Sequence, residues 1–366
     1  MAGPFDEEEI EGLQKERLPE EMSNYPLDDI MVRKDTRTVA DVVNRITAGR
    51  YSMNPDFQRD FVWKPDKQSK LIESCVMRIP LPVLYVAEGE DGRITVVDGL
   101  QRLSTFQAFL TNKLKLTGLG KEHPLEGKRY KDLSVQLQER IEDTQLTLYI
   151  LDKDAPEAAR LDIFDRVNSG IALSRQQMRN ALYNGPATRW LATMAQDPTF
   201  LSATGESLSR LTMRDREAIN RFAAFEVMGW EDYNGDMDQF LAKALSMINT
   251  FDANGIKSLT NDFQGSMRRN QKLFGRHAFR KSLAECDDKA ARSIINISMF
   301  DTFSVCFSRI PDDVVKKDKN SIIEEVIELL GDEEFSYAVT YSTNSTVQVR
   351  TRYTMLMEAL KPWMMV

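Results

Sequence analysis

The chain has 366 residues but only three cysteines and two histidines. Cys75, Cys286 and Cys306 stand far apart and form no Cys-x-x-Cys pair. This excludes a disulfide framework and a cysteine zinc site, and it fits a reducing, cytoplasmic setting. With only His123 and His277 available, a histidine-dependent metal nuclease is short of ligands, and both are expected to be structural. No apolar run approaches the length of a membrane span, and the acidic N-terminus has no signal-peptide character. Positive charge is not in excess either. The net charge of −8 argues against a generally basic nucleic-acid coat, though a local basic groove remains compatible with it.

What is present describes a globular chain long enough for two domains: 42% hydrophobic and 28% charged residues. Residues 1–27 are rich in glutamate and are expected to be a mobile, solvated tail. Residues 28–152 alternate helix and strand signals. Thr38 is placed to cap a helix with Val39, Val42, Val43 and Ile46 on its apolar stripe. Pro65-Asp66 opens another, and Val83–Ala87 reads as a strand turned by Gly89–Gly92 into the next one. Leu114–Lys131 is loop-like, and Gln145–Leu151 alternates as a strand closing the domain. Residues 153–366 are dominated by helical patterns. Asp154–Glu157 and Ser174–Gln177 are capping boxes, and helices are expected over Thr212–Met228, Asp236–Leu259, Gln271–Glu285, Asn320–Leu330 and up to Leu360. The fold class is therefore α+β, a small mixed-sheet domain followed by a mostly α-helical one.

The most informative stretch is Ile94–Leu110. A β-branched run, Ile94–Val97, leads into the turn pair Asp98-Gly99 and then a helix with Leu103, Phe106, Phe109 and Leu110 at helical spacing. Gln101, Arg102, Ser104 and Thr105 crowd the helix start, where free N–H groups and the helix dipole favour an anion. Arg102 adds a planar fork suited to phosphate. An ordinary strand-to-helix connection with a surface arginine explains the spacing equally well. Gln58 and Arg59 lie between Phe57 and Phe61, and Arg59 could converge with Arg102 on one ligand. Further along, Arg175, Gln176, Arg179 and Asn180 line either a cleft or a solvated face. The hydroxyl-rich stretch Tyr341–Thr346, followed by Arg350 and Arg352, either contacts phosphate or contains a cap, Ser345, for the last helix.

Asn54–Arg59, Val62-Trp63, Leu71–Ser74, Ile79–Pro82 and above all Val97–Thr105 resemble the N-terminal domain of GmrSD-type modification-dependent restriction systems. That family is marked by an Asp-Gly-Gln-Gln-Arg motif on a ParB/sulfiredoxin-like fold. Weaker similarity runs through Ile163–Asn168, Leu173–Asn180, Asp215–Phe222 and Thr346–Arg350, so that the likeness spans about Asn54 to Arg352. The resemblance implies a nucleoside triphosphate held by Gln58, Arg59, Gly99, Gln101, Arg102, Ser104 and Thr105. Asp98 would bind Mg²⁺ or another divalent cation, or orient water, with Asp98 and Arg102 catalytic in slow hydrolysis. Asn168, Arg179, Asn180 and Arg350 would add contacts from the second domain. The partners implied are DNA, modified or not, and a separate nuclease subunit, because no His-Asn-His-type domain is visible; self-association stays open. Leu100 stands where the commoner motif has Gln. A non-catalytic, nucleotide-switched DNA adaptor and a metal-dependent DNA-nicking domain are the alternatives.

Overall fold

A computed structural model describes residues 10–12, 32–53, 63–89, 92–152, 155, 161, 163, 174–285 and 291–364. The chain divides into two compact units. One ends at Asn184; the other begins at Gly185 and takes in the described N-terminal residues.

The first unit is a five-stranded mixed sheet in the order β1-β5-β3-β4-β2. Its strands are β1 (Val32–Thr38), β2 (Tyr51–Ser52), β3 (Leu84–Glu88), β4 (Ile94–Asp98) and β5 (Gln145–Leu151). β1–β5 and β3–β4 pair antiparallel; β3–β5 and β2–β4 pair parallel. Strand alternation divides the side chains between the two faces. Leu84, Val86, Val96, Leu146, Leu148 and Ile150 meet α1 (Val39–Thr47), α2 (Pro65–Val76), α3 (Leu100–Leu110) and Ile141 of α4 (Val135–Glu142). Ala87, Val97 and Leu151 face the other way, onto Met178, Ala181 and Leu182 of α5 (Arg175–Leu182). That apolar seam binds α5 to the sheet, so the unit runs past the boundary at 152 read from the sequence.

Local signals act as expected at several ends. The Thr38 hydroxyl accepts the Asp41 N–H at 3.2 Å. Ser174 and Gln177 form a reciprocal capping box at the start of α5. β1 and α4 have no counterpart in the sequence reading. β1 is a polar edge strand, and α4 buries only Ile141, so neither carries a periodic apolar pattern.

The second unit is helical in its described residues. Its helices begin with α6 (Pro186–Met194), α7 (Pro198–Thr204), α8 (Arg214–Met228), α9 (Met237–Ile248), α10 (Ala253–Phe274) and α11 (Ile297–Ser308). α12 (Asp312–Lys317), α13 (Lys319–Gly331), α14 (Glu333–Ala338) and α15 (Thr346–Leu360) complete them. Phe200, Phe222, Phe225, Phe263, Phe300 and Tyr353 are buried in its core. The helices expected at Asp236–Leu259 and Gln271–Glu285 are divided differently. Asn249 ends α9, Asp252 caps α10 through the Gly255 N–H, and α10 then runs unbroken to Phe274. Gly265 does not break it: Ser266 next to it is buried and donates to the Ser304 carbonyl of α11.

Part of the acidic N-terminus expected to be mobile is docked. Glu11 N–H donates to the Ile295 carbonyl at 2.8 Å, and its own carbonyl accepts the Ile297 N–H at 2.9 Å. The Glu11 carboxylate also pairs with Lys281. Backbone pairing of this kind fixes the segment regardless of its acidic composition. Among the described residues no helix is long and apolar enough to cross a membrane.

Candidate functional site at the end of the fourth strand

β4 delivers Asp98 to the last position of an interior strand, and Gly99 makes the turn into α3. Gly99 has φ +98°, and a Cβ there would lie 2.0 Å from Leu84 Cδ2. Both the backbone conformation and the close approach to β3 demand glycine. No side chain caps α3. Its first-turn N–H groups are therefore left to whatever fills the space before them.

Four residues after Asp98, one helical turn on, Arg102 comes back over the turn. Its Nη2 donates to Asp98 Oδ2 at 2.7 Å and to the Val83 carbonyl at 3.0 Å. Nη1 donates to the Pro82 carbonyl. Arg102 is only 9% exposed. Burial pulls its guanidinium below the usual arginine range, and Asp98 opposes that pull. The fork read from the sequence as a phosphate clamp is thus turned inward, lacing the Pro82-Val83 segment to the strand end. The Asp98 side chain stays 34% exposed, with Oδ1 free of any described protein partner.

The neighbouring residues separate into two groups. Gln101 Oε1 accepts the Trp63 N–H at 3.1 Å, anchoring the start of α2 to the first turn of α3. Ser104 is half-buried on that helix. Thr105 does not face a ligand. It is fully buried, and its hydroxyl donates to the Gln101 carbonyl at 2.7 Å, the usual resting place of a helical threonine. Gln58, Arg59 and Asn168 lie outside the described residues. Ser52 pairs with Thr95, and Trp63 hangs on Gln101.

The contacts assigned to a second domain are distributed otherwise. Arg179 and Asn180 belong to the first unit, on α5, and are buried in a network through Gln176, with Arg179 Nε donating to Gln176 Oε1 at 3.1 Å and Gln176 Nε2 to Asn180 Oδ1 at 2.9 Å. They line neither an open cleft nor a solvated face, because the apolar residues of α5 press that helix onto the sheet. Arg350 is exposed on α15 in the second unit. Its companion Arg352 is fully buried, donating to Thr302 Oγ1, the Thr343 carbonyl and Asp301 Oδ2. Arg221 takes the other oxygen, Asp301 Oδ1, at 3.1 Å and also donates to Asn344 Oδ1 at 2.9 Å. The hydroxyl-rich loop is clamped from below by these arginines, and Ser345 caps α15 by accepting the Gln348 N–H. Sequence reasoning missed this Arg221–Asp301–Arg352 cluster; its members are 80 and 51 residues apart, and no local pattern joins them.

Each histidine has a polar contact within the protein. His123 Nε2 is 2.9 Å from Glu73, and the buried His277 Nδ1 is 2.8 Å from Ser282 Oγ. Among the described residues no three metal-ligating side chains come together.

Residues 39–184 match the family model described as the GmrSD restriction endonuclease, N-terminal domain. This stretch of the chain belongs to that family. The match ends at the same residue as the first compact unit, and it contains the whole Asp98–Arg102 turn. A comparison with curated proteins gives no match. The GmrSD-type domain thus has its sequence motif at the end of an interior strand, with a carboxylate half open and an arginine used as a brace.

Proposed function

We propose that the protein is a nucleotide-binding regulatory component of a modification-dependent restriction system, acting on DNA together with a separate nuclease. The GmrSD-type domain supports the restriction context. The observation that carries the nucleotide reading is the open Oδ1 of Asp98 beside the uncapped start of α3. The helix end offers N–H groups and partial positive charge to phosphate oxygens. Asp98 offers one carboxylate oxygen to a cation. A lone carboxylate does not build a resident metal site, but it suits Mg²⁺, which keeps its waters and arrives on the phosphates of its substrate. Gly99 and Gln101 shape the floor, and Arg102 is a positioning residue that holds Asp98 in place. Since both Nη groups of Arg102 are engaged, the charge-neutralising arginine in this reading is Arg59.

The test is phosphate release by the full chain from each nucleoside triphosphate with Mg²⁺, alongside nucleotide binding. Asp98→Asn should lower turnover by about 100-fold or more. Turnover at the wild-type rate in that variant would remove the assignment. The inward fork of Arg102 favours a second reading, in which nucleotide binds and switches an adaptor without being hydrolysed. Micromolar binding with no phosphate release would select it.

A further inference from the structure

Residues 10–12 lie beside the start of α11 as a single parallel bridge, with Glu11 opposite Asn296. Both backbone bonds of the bridge belong to Glu11. Its N–H donates to the Ile295 carbonyl, and its carbonyl accepts the Ile297 N–H. Gly12 follows with φ +86°, and a Cβ there would stand 3.0 Å from Ile297 Cγ2 and 3.6 Å from Thr343 Oγ1. The segment thus rests in the crease between α11 and the hydroxyl-rich loop, and glycine is what lets it lie so close.

Two side chains tie this strap to the stretch that leads into the loop. Lys281 Nζ pairs with the Glu11 carboxylate and also donates to Thr340 Oγ1 at 2.7 Å. Asn296 donates through Nδ2 to the Val339 carbonyl at 2.8 Å, while its Oδ1 caps α11 by accepting the Met299 N–H at 2.9 Å. The same loop is held separately by Arg352 on the Thr343 carbonyl and by Arg221 on Asn344 Oδ1.

These two fastenings differ in strength. Arg221, Arg352 and Asp301 are buried, and separating such charges is costly. The Glu11 and Lys281 side chains are 29% and 34% exposed. A pair at that exposure contributes little and is weakened by salt. The two backbone hydrogen bonds add a modest net gain. Against them stands the entropy lost in ordering three residues. Gain and cost are of similar size, so the docked and released segments lie close in free energy, and the charge pair tips the balance.

We infer that residues 10–12 are an electrostatically gated strap. Closed, it keeps Lys281 on Glu11 and covers the Ile295–Ile297 backbone beside the loop. Open, it releases the Ile295 carbonyl, the Ile297 N–H and the Lys281 ammonium together, with the buried arginines still in place. The gate responds to ionic strength and to any group that competes for Glu11 or Lys281. It stands apart from the nucleotide and DNA readings and requires neither.

The experiment is hydrogen–deuterium exchange of the full chain, followed at the Ile297 amide by mass spectrometry, with thermal unfolding alongside. Glu11→Lys should speed that exchange roughly threefold to tenfold, because an attraction becomes a repulsion. Adding Lys281→Glu to that variant should bring exchange back to about the wild-type rate. Gly12→Ala should open the strap without altering charge and speed exchange to a similar extent. Raising salt from ~50 to ~500 mM should speed it roughly twofold to threefold in the wild type and leave Glu11→Gln unchanged. The melting temperature should hold in all of these variants, since the Asp301 cluster is untouched. Wild-type exchange in Glu11→Lys would overturn the strap, and so would failure of the charge swap to restore it. A salt-insensitive wild type would overturn the electrostatic gate. A melting temperature that falls in step with faster exchange would make Glu11 part of the cooperative core and overturn the strap as well.

Discussion

Two aspartates in this molecule each hold arginine, and they do so to different ends. Asp98 gives one oxygen to Arg102 and keeps the other toward solvent. Asp301 gives each oxygen to a different arginine, Arg221 and Arg352, and is fully buried. Its backbone carbonyl also accepts the Tyr353 hydroxyl at 3.0 Å. In that cluster of the second unit each ionic group is consumed in fastening α8, α11 and α15 around a loop. In the first, the same chemistry stops halfway: the arginine is consumed and the carboxylate is not. An ion pair with spare valence at a surface can meet a ligand, whereas a saturated one in a core can only organise its surroundings.

The sharpest way to break this comparison is Asp301→Ala. It leaves two guanidiniums in the core without their counter-charge, and should cost about 3–5 kcal/mol in denaturant unfolding of the second unit. A loss below about 1 kcal/mol would mean the cluster is not the fastening described. Arg102→Ala should come next, at roughly 2–3 kcal/mol, because the Pro82 and Val83 carbonyls lose a charged donor. A phosphate clamp exposed to solvent would instead lose activity with an unchanged melting temperature, so the two roles separate on stability alone.

Glu226 sharpens the comparison from the other side. It has no direct arginine partner among the described residues; its oxygens accept the Ser308 hydroxyl, and burial pushes its carboxyl up to about 7. The folded state then binds its proton more tightly than the unfolded chain does. The resulting stability is full below the ordinary glutamate value and is lost as pH rises toward 7. Glu226→Gln should remove that decline, making the second unit about 1–2 kcal/mol more stable than wild type at pH 8 and equal to it near pH 4. Thermal unfolding across that range reads it directly. The smallest effect on stability is expected for Asp98→Asn, under about 1 kcal/mol, since a half-exposed pair contributes little. Turnover is its proper readout, and a large destabilisation there would make Asp98 a second Asp301.

By itself the sequence determined the strand–turn–helix at Ile94–Leu110, the caps at Thr38, Ser174 and Ser345, and the mixed sheet followed by helices. These follow from neighbours a few residues apart: β-branched runs, glycine where φ must be positive, and hydroxyls one turn before the N–H they accept. It also held the motif that places residues 39–184 in the GmrSD N-terminal domain family. Tertiary structure alone decided where each polar side chain spends its bonds. Arg102 reads as a phosphate fork until the Pro82-Val83 carbonyls are brought over it, and Arg179 as a cleft residue until α5 lies on the sheet. The partners of Asp301 are drawn from segments tens of residues away. Which donors are exhausted and which stay available depends on contacts between such segments, and sequence spacing carries no record of those.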